Sequence, residues 1–135
     1  MRTLNFIPLT VGLAMALHSA LAATIQCPHE IKTTQSLLKK VNGWGEFSDD
    51  WNIVHNVNRV TFYASHPNEH ASLAPDNEDT KSNKALWTFG KDKIWLACGY
   101  SNTAIQLIQK LPDKTRSCTV TYDSNFSKII TIDCI

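Results

Sequence analysis

The residues best suited to chemistry gather between positions 66 and 79. His66-Pro67-Asn68-Glu69-His70 has the spacing H-x-x-E-H. On a helix, two histidines four residues apart share a face and can clamp zinc while the glutamate activates water. His66, Glu69 and His70 would then centre a metal-dependent hydrolase. Pro67 argues against it, because proline suits only the first turn of a helix, and the flanks are loop-like. A further ligand is needed, and nothing singles out one of Asp76, Glu78 and Asp79. With Asn77, these carboxylates offer oxygen ligands to a hard cation. The spacing and glycine of a calcium-binding EF loop are absent, and a solvated acidic loop explains the same residues. The expectation is no metal and no cofactor, with His66, Glu69 and His70 as weak metal candidates.

No nucleophile motif of the G-x-S-x-G kind is present. The cysteines are Cys27, Cys98, Cys118 and Cys134, an even set that points to two disulfides in an exported chain. Pairing removes thiol catalysis. A dispersed Ser-His-Asp set is defined in space rather than by spacing, and neither His29 nor His55 has a telling neighbour. The chain reads as a protein that is not an enzyme.

The N-terminus sets the compartment. Arg2 is the only charge among the first 25 residues, Ile7 to Leu17 is predominantly apolar, and Ala20-Leu21-Ala22 offers small residues to a signal peptidase. Residues 1–22 read as a cleaved signal peptide. The run is short of the ~20 apolar residues that span a bilayer. Gln26 before Cys27 does not suit lipidation. Residues 23–135 are left as one domain, large enough to bury a core. The full chain has 13 Lys+Arg and 12 Asp+Glu; losing Arg2 leaves 12 of each. Neutrality argues against nucleic acid, and against a membrane once the signal is removed, since both select basic patches. The expected location is the periplasm or the outside of the cell.

The elements follow from period-2 alternation. Ile25 to Leu37 predicts a first strand, and Trp51 to Ala64 contains a second. His66 to Lys84 predicts a long exposed loop with at most one helical turn. Ala85, Trp87 and Phe89, then Ile94, Leu96 and Cys98, predict a hairpin broken at Gly90–Lys93. Strands through Ile105–Ile108, Cys118–Tyr122 and Ile129–Cys134 continue it as a five-strand antiparallel meander. Its register sets Cys98 opposite Ile105, Leu107 opposite Val120, Tyr122 opposite Ile130, Val120 opposite Ile132 and Cys118 opposite Cys134. One face then collects Ala85, Trp87, Phe89, Ile94, Leu96, Cys98, Ile105, Leu107, Val120, Tyr122, Ile130 and Ile132. The fold class is mainly β: a small antiparallel sandwich or partly open barrel, with the meander at its C-terminal end and two disulfides.

That register pairs the cysteines. Opposed residues on neighbouring strands have Cβ atoms ~4.5–5.5 Å apart, near what a disulfide requires, so Cys118 pairs with Cys134. Cys98 lies two strands away and out of row, which leaves Cys27 to close onto it. The opposite meander face carries Trp95 with Ile108, Thr119, Thr131 and Asp133. It is either a docking surface, since tryptophan is enriched in binding hot spots, or the face covered by the first two strands. Trp44 and Trp51, flanking a polar loop, are a second candidate binding surface or core plugs.

Cys27-Pro28, Gly43-Trp44 with Phe47-Ser48, and Val60-Thr61-Phe62-Tyr63 leading to His66-Pro67 form a recognisable series. It continues through Leu86-Trp87-Thr88-Phe89, Ile94-Trp95-Leu96-x-Cys98-x-Tyr100, Leu111-Pro112-Asp113 and Cys118-x-Val120-Thr121-Tyr122. Over nearly the whole mature chain this resembles a family of small exported proteobacterial proteins of the STY type, with no assigned activity. The resemblance implies export, four cysteines and one small domain. It brings no catalytic residues, and its pattern does not hold histidine at the position of His70. Some of these relatives sit in bacterial antagonism loci, which implies an immunity role. The expected function is therefore an exported periplasmic binding protein, an inhibitor or immunity protein that neutralises a toxic enzyme, with another protein as partner. The alternatives are the His66/Glu69/His70 hydrolase and a carbohydrate- or cell-wall-fragment-binding module using Trp95 or Trp44.

Overall fold

The computed structural model describes residues 22–135; the signal peptide reading falls almost wholly outside them. Among the described residues ten strands run in chain order: β1 Ala23–Ile25, β2 Glu30–Lys32, β3 Val54–Tyr63, β4 Ser72–Leu73, β5 Asn77–Asp79, β6 Lys84–Thr88, β7 Trp95–Tyr100, β8 Gln106–Lys110, β9 Ser117–Tyr122 and β10 Ile129–Cys134. They form two antiparallel sheets. One has the order β1-β10-β9-β6-β5; the other has β2-β3-β7-β8, with β4 also on β3.

The sheets close on each other as a sandwich. Phe62 on β3 packs against Trp87 on β6 with ring centroids 4.9 Å apart, and against Phe89 at 5.4 Å. Around this pair lie Val60, Leu96 and Tyr100 from one sheet and Ala85, Val120 and Ile132 from the other. Trp87 Nε1 donates to the Leu73 carbonyl at 3.0 Å, giving its buried N–H a partner in the opposite sheet.

The meander does not form. β6 pairs with β9 (Ala85 opposite Val120, Trp87 opposite Cys118), while β7 pairs with β3 and β8. The break at Gly90–Lys93 is therefore a crossing between sheets rather than a hairpin turn, and the chain crosses again between β8 and β9. Alternation reports only which side of a strand is buried. Two strands facing each other across a sandwich give the same pattern as two strands paired in one sheet. The β9–β10 register is as expected at Val120–Ile132 and Cys118–Cys134, but a register shift between Ile129 and Thr131 puts Ile129 opposite Tyr122. Ile130 is thereby turned outward, 59% exposed. On β8 the register moves by two residues, setting Leu107 opposite Cys98. Ile105 falls before that edge strand, and both Ile105 and Leu107 are exposed.

The N-terminal strand is also divided. β1 pairs with β10 in one sheet and β2 with β3 in the other. Between them Cys27 bonds to Cys98, and the buried Tyr100 hydroxyl donates to the Pro28 carbonyl at 2.9 Å. Burial raises the pKa of that phenol. Cys118 and Cys134 form the second disulfide, across the β9–β10 ladder. Both pairings match the sequence expectation. The long 66–84 segment holds one 3-10 turn, Pro67–Glu69, followed by β4 and β5, each joined to a different sheet.

The two disulfides span 71 and 16 residues. Chain entropy then assigns them roughly 4 and 3 kcal/mol. Replacing Cys27 and Cys98 together by Ala is expected to lower the urea-unfolding free energy more than replacing Cys118 and Cys134. The reverse order would show that the N-terminal tie is not the larger constraint. Tyr100→Phe removes the donor to the Pro28 carbonyl and is expected to cost ~1–3 kcal/mol by the same measurement.

Candidate functional site

The H-x-x-E-H residues form and cap a 3-10 turn, Pro67–Glu69, not an α-helix. His66 caps its start, with Nδ1 3.3 Å from the Asn68 nitrogen and 2.7 Å from Asn68 Oδ1. His70 ends it in the left-handed region at φ 59°. Glu69 and His70 are exposed. Among the described residues no three His, Cys, Asp or Glu side chains are placed to hold a metal. The left-handed backbone at His70 ends the element after one turn, so the shared face that a zinc pair requires is not built.

The acidic residues are taken up by hydroxyls, N–H groups and a lysine of the fold itself. The Asp76 carboxylate accepts from the Thr88 hydroxyl at 2.6 Å and the Thr88 N–H at 2.5 Å. Asp79 accepts from the Ser82 hydroxyl at 2.8 Å and the Lys81 N–H at 2.9 Å. Asp123 does the same for Ser127, and Asp113 meets Lys110 at 2.9 Å. These partners favour the ionised form, so all four carboxyls lie below the ordinary carboxylate range. His55 is structural as well. Its fully buried ring spans from Thr33 Oγ1, 2.8 Å from Nε2, to the Ser101 carbonyl, 2.7 Å from Nδ1. A carbonyl can only accept, so Nδ1 is the donor.

The three candidate tryptophans are not gathered in one place. Trp95 is half-buried on β7, with the His66 ring edge-on to it at 4.8 Å. The threonine row of β9 and β10 belongs to the other sheet, so the single Trp-and-Thr face does not exist. Nor do the two expected N-terminal strands form a separate layer over such a face: β1 and β2, the pieces of the first, extend the sheets at their edges, and β3, the second, pairs directly with β7. Trp44 and Trp51 plug no core. Both lie in the irregular connection from β2 to β3, an arm in which every residue from 34 to 52 is exposed. Trp44 is 80%, Phe47 89% and Trp51 82% accessible, and Leu37, Leu38 and Val41 are exposed beside them.

The arm springs from a built base. Thr33 N–H donates to the Ile53 carbonyl at 2.9 Å, and the Thr33 hydroxyl meets buried His55. Leu37 N–H reaches Glu46 Oε1 at 2.8 Å, and Trp44 N–H returns to the Val41 carbonyl at 3.1 Å through Gly43 at φ 82°. Leu37 was expected in the first strand, Phe47 stands out in the sequence only as part of the family pattern, and nothing in the alternation marks Leu38 or Val41. A usable signal was present: six large apolar residues in a segment with no period-2 alternation, broken by Gly43 and Gly45.

An exposed apolar surface of this kind suits recognition of another macromolecule. Residues 50–135, from the end of the arm through β10, match the family model for the type VI secretion system Tli immunity protein. The chain belongs to this family. No curated protein and no solved structure matches it. Membership of the Tli immunity family agrees with the immunity role that the sequence resemblance implied; the STY-type label is no part of the match. It supports neither the hydrolase nor the carbohydrate-binding alternative. A Tli immunity protein neutralises a toxic effector, so its partner is another protein.

The carboxylates predict the acid limb of stability. Asp76, Asp79, Asp113 and Asp123 titrate lower folded than unfolded, where carboxyls titrate near ~4. Their contribution is complete above the unfolded value and is lost as the pH falls through the folded values. Thermal midpoints are expected to hold at pH 5–7 and fall below about pH 4. Asp76→Asn should make that fall shallower; an unchanged slope would show that the Thr88 bonds do not carry it.

Proposed function

We propose that this chain works in the periplasm as a non-enzymatic, stoichiometric inhibitor of a type VI effector. Residues 1–22 direct export, and residues 23–135 are the mature domain. The observation that carries this reading is the family match over β3 to β10, the strands that build both sheets. Two disulfides with no free cysteine suit an oxidising compartment. A domain that remains folded on that side of the inner membrane can hold an effector where it arrives. Neutralisation is by binding: the effector is held in a complex and no bond is made or broken. The mature chain needs no cofactor, nucleic acid or membrane surface.

The test is protection in cells. Type VI effectors of the host's competitors and of the host itself are expressed one at a time with a periplasmic leader. The full chain is expected to restore growth against its own effector, and the chain lacking residues 2–22 is not. Protection by the leaderless form would place the encounter in the cytoplasm. Failure of the full chain against every effector would refute the inhibitor reading.

A further inference from the structure

We propose that the arm, residues 34–52, is the element that docks the effector, its aromatic side chains entering an apolar cleft on that protein. This rests on the immunity reading above and names the surface that carries it out.

The arm holds Trp44, Phe47 and Trp51, each at least four-fifths exposed, together with Leu37, Leu38 and Val41. A buried aromatic side chain covers roughly 150–250 Å², so the three together offer roughly 500 Å². The three aliphatics bring the arm close to the ~800 Å² that one partner gives to a standard-size interface. Connections this long without regular structure are uncommon in compact domains and are usually either functional or linker segments. Tryptophan is also among the residues that dominate binding energy.

Charge separates a protein partner from a lipid surface. The arm carries Lys39 and Lys40 against Glu46, Asp49 and Asp50, one net negative charge. Segments that insert their apolar side into an anionic membrane are flanked by basic residues instead. An apolar centre with charges of both signs at its rim is the make-up of a protein interface.

The arm is fixed only at its foot. Thr33, Ile53 and buried His55 close the base, and within the arm the bonds are few: Leu37 to Glu46, Trp44 to Val41 and Trp51 to Asp49. Its side chains can therefore settle into a cleft without disturbing the sandwich, and their removal does not touch the core.

The probe is the full-length effector against which the wild-type chain protects cells in the assay above. Its dissociation constant is measured with wild type, with Trp44→Ser/Phe47→Ser/Trp51→Ser, and with Leu38→Asp/Val41→Asp. Both variants are expected to keep the wild-type melting temperature and molecular mass, to bind at least ~100-fold more weakly, and to lose protection. Binding by the triple variant within threefold of wild type overturns the docking role while leaving the immunity reading intact. A variant that halves the molecular mass of a wild-type dimer also overturns it, by showing that the arm joins two copies of this chain. A wild-type chain that binds no effector removes the immunity reading itself, and this inference with it.

Discussion

The corner at Cys27 and Pro28 is the constraint on which the rest of the structure depends. There the chain leaves one sheet and joins the other, and two buried links hold it to β7: the Cys27–Cys98 disulfide and the Tyr100 hydroxyl on the Pro28 carbonyl. The Val57 N–H then bonds to the His29 carbonyl at 2.9 Å, and β2 is laid along β3. With β2 fixed, Thr33 lands against His55, whose other nitrogen is held by the Ser101 carbonyl. The foot of the arm is thus tied back to β7 and to Ser101 just beyond it. A three-residue strand could not hold such a position alone, because its few ladder bonds do not offset the entropy of ordering it.

β7 is the hub of this arrangement because it is buried on both faces. Leu96, Cys98 and Tyr100 enter the core, while Ala97 and Gly99 are covered on the other side. Gly99 lies under the Arg59 side chain, where an added Cβ would come within 2.4 Å of Arg59 Cγ. Arg59 is held there by its bond from Nη1 to the Tyr100 carbonyl at 3.2 Å. Glycine is the residue that permits so close an approach.

Much of this was legible in the residues, and the reason is local. Burial shows as alternation, so Trp87, Leu96, Val120 and Ile132 were recognisable as core before their neighbours were known. Cys118 and Cys134 were legible as a pair because a short turn sets their register. Pairing between distant strands left no such mark: Ala85–Phe89 and Ile94–Cys98 alternate identically whether joined as a hairpin or opposed across a sandwich. The Cys27–Cys98 bond was reached correctly although Cys98 stands in the other sheet, since with Cys118 and Cys134 paired only one partner remained. The arm was legible only in part. Trp44 and Trp51 were visible as residue types, but nothing in a sequence says that a tryptophan lacks a core to enter; that depends on where β2 and β3 end.

The proposed function divides the work between a folded body pinned by disulfides, which would survive in the periplasm, and an unpacked apolar arm, which would meet the effector. The most direct measurement is amide hydrogen exchange of this chain alone and in complex with its effector. Amides of residues 34–52 should exchange rapidly in the free chain and be strongly protected in the complex, with those of β6, β7 and β9 slow in both. Protection confined to the sheet faces or to the 66–84 segment, with the arm still exchanging freely, would contradict the account.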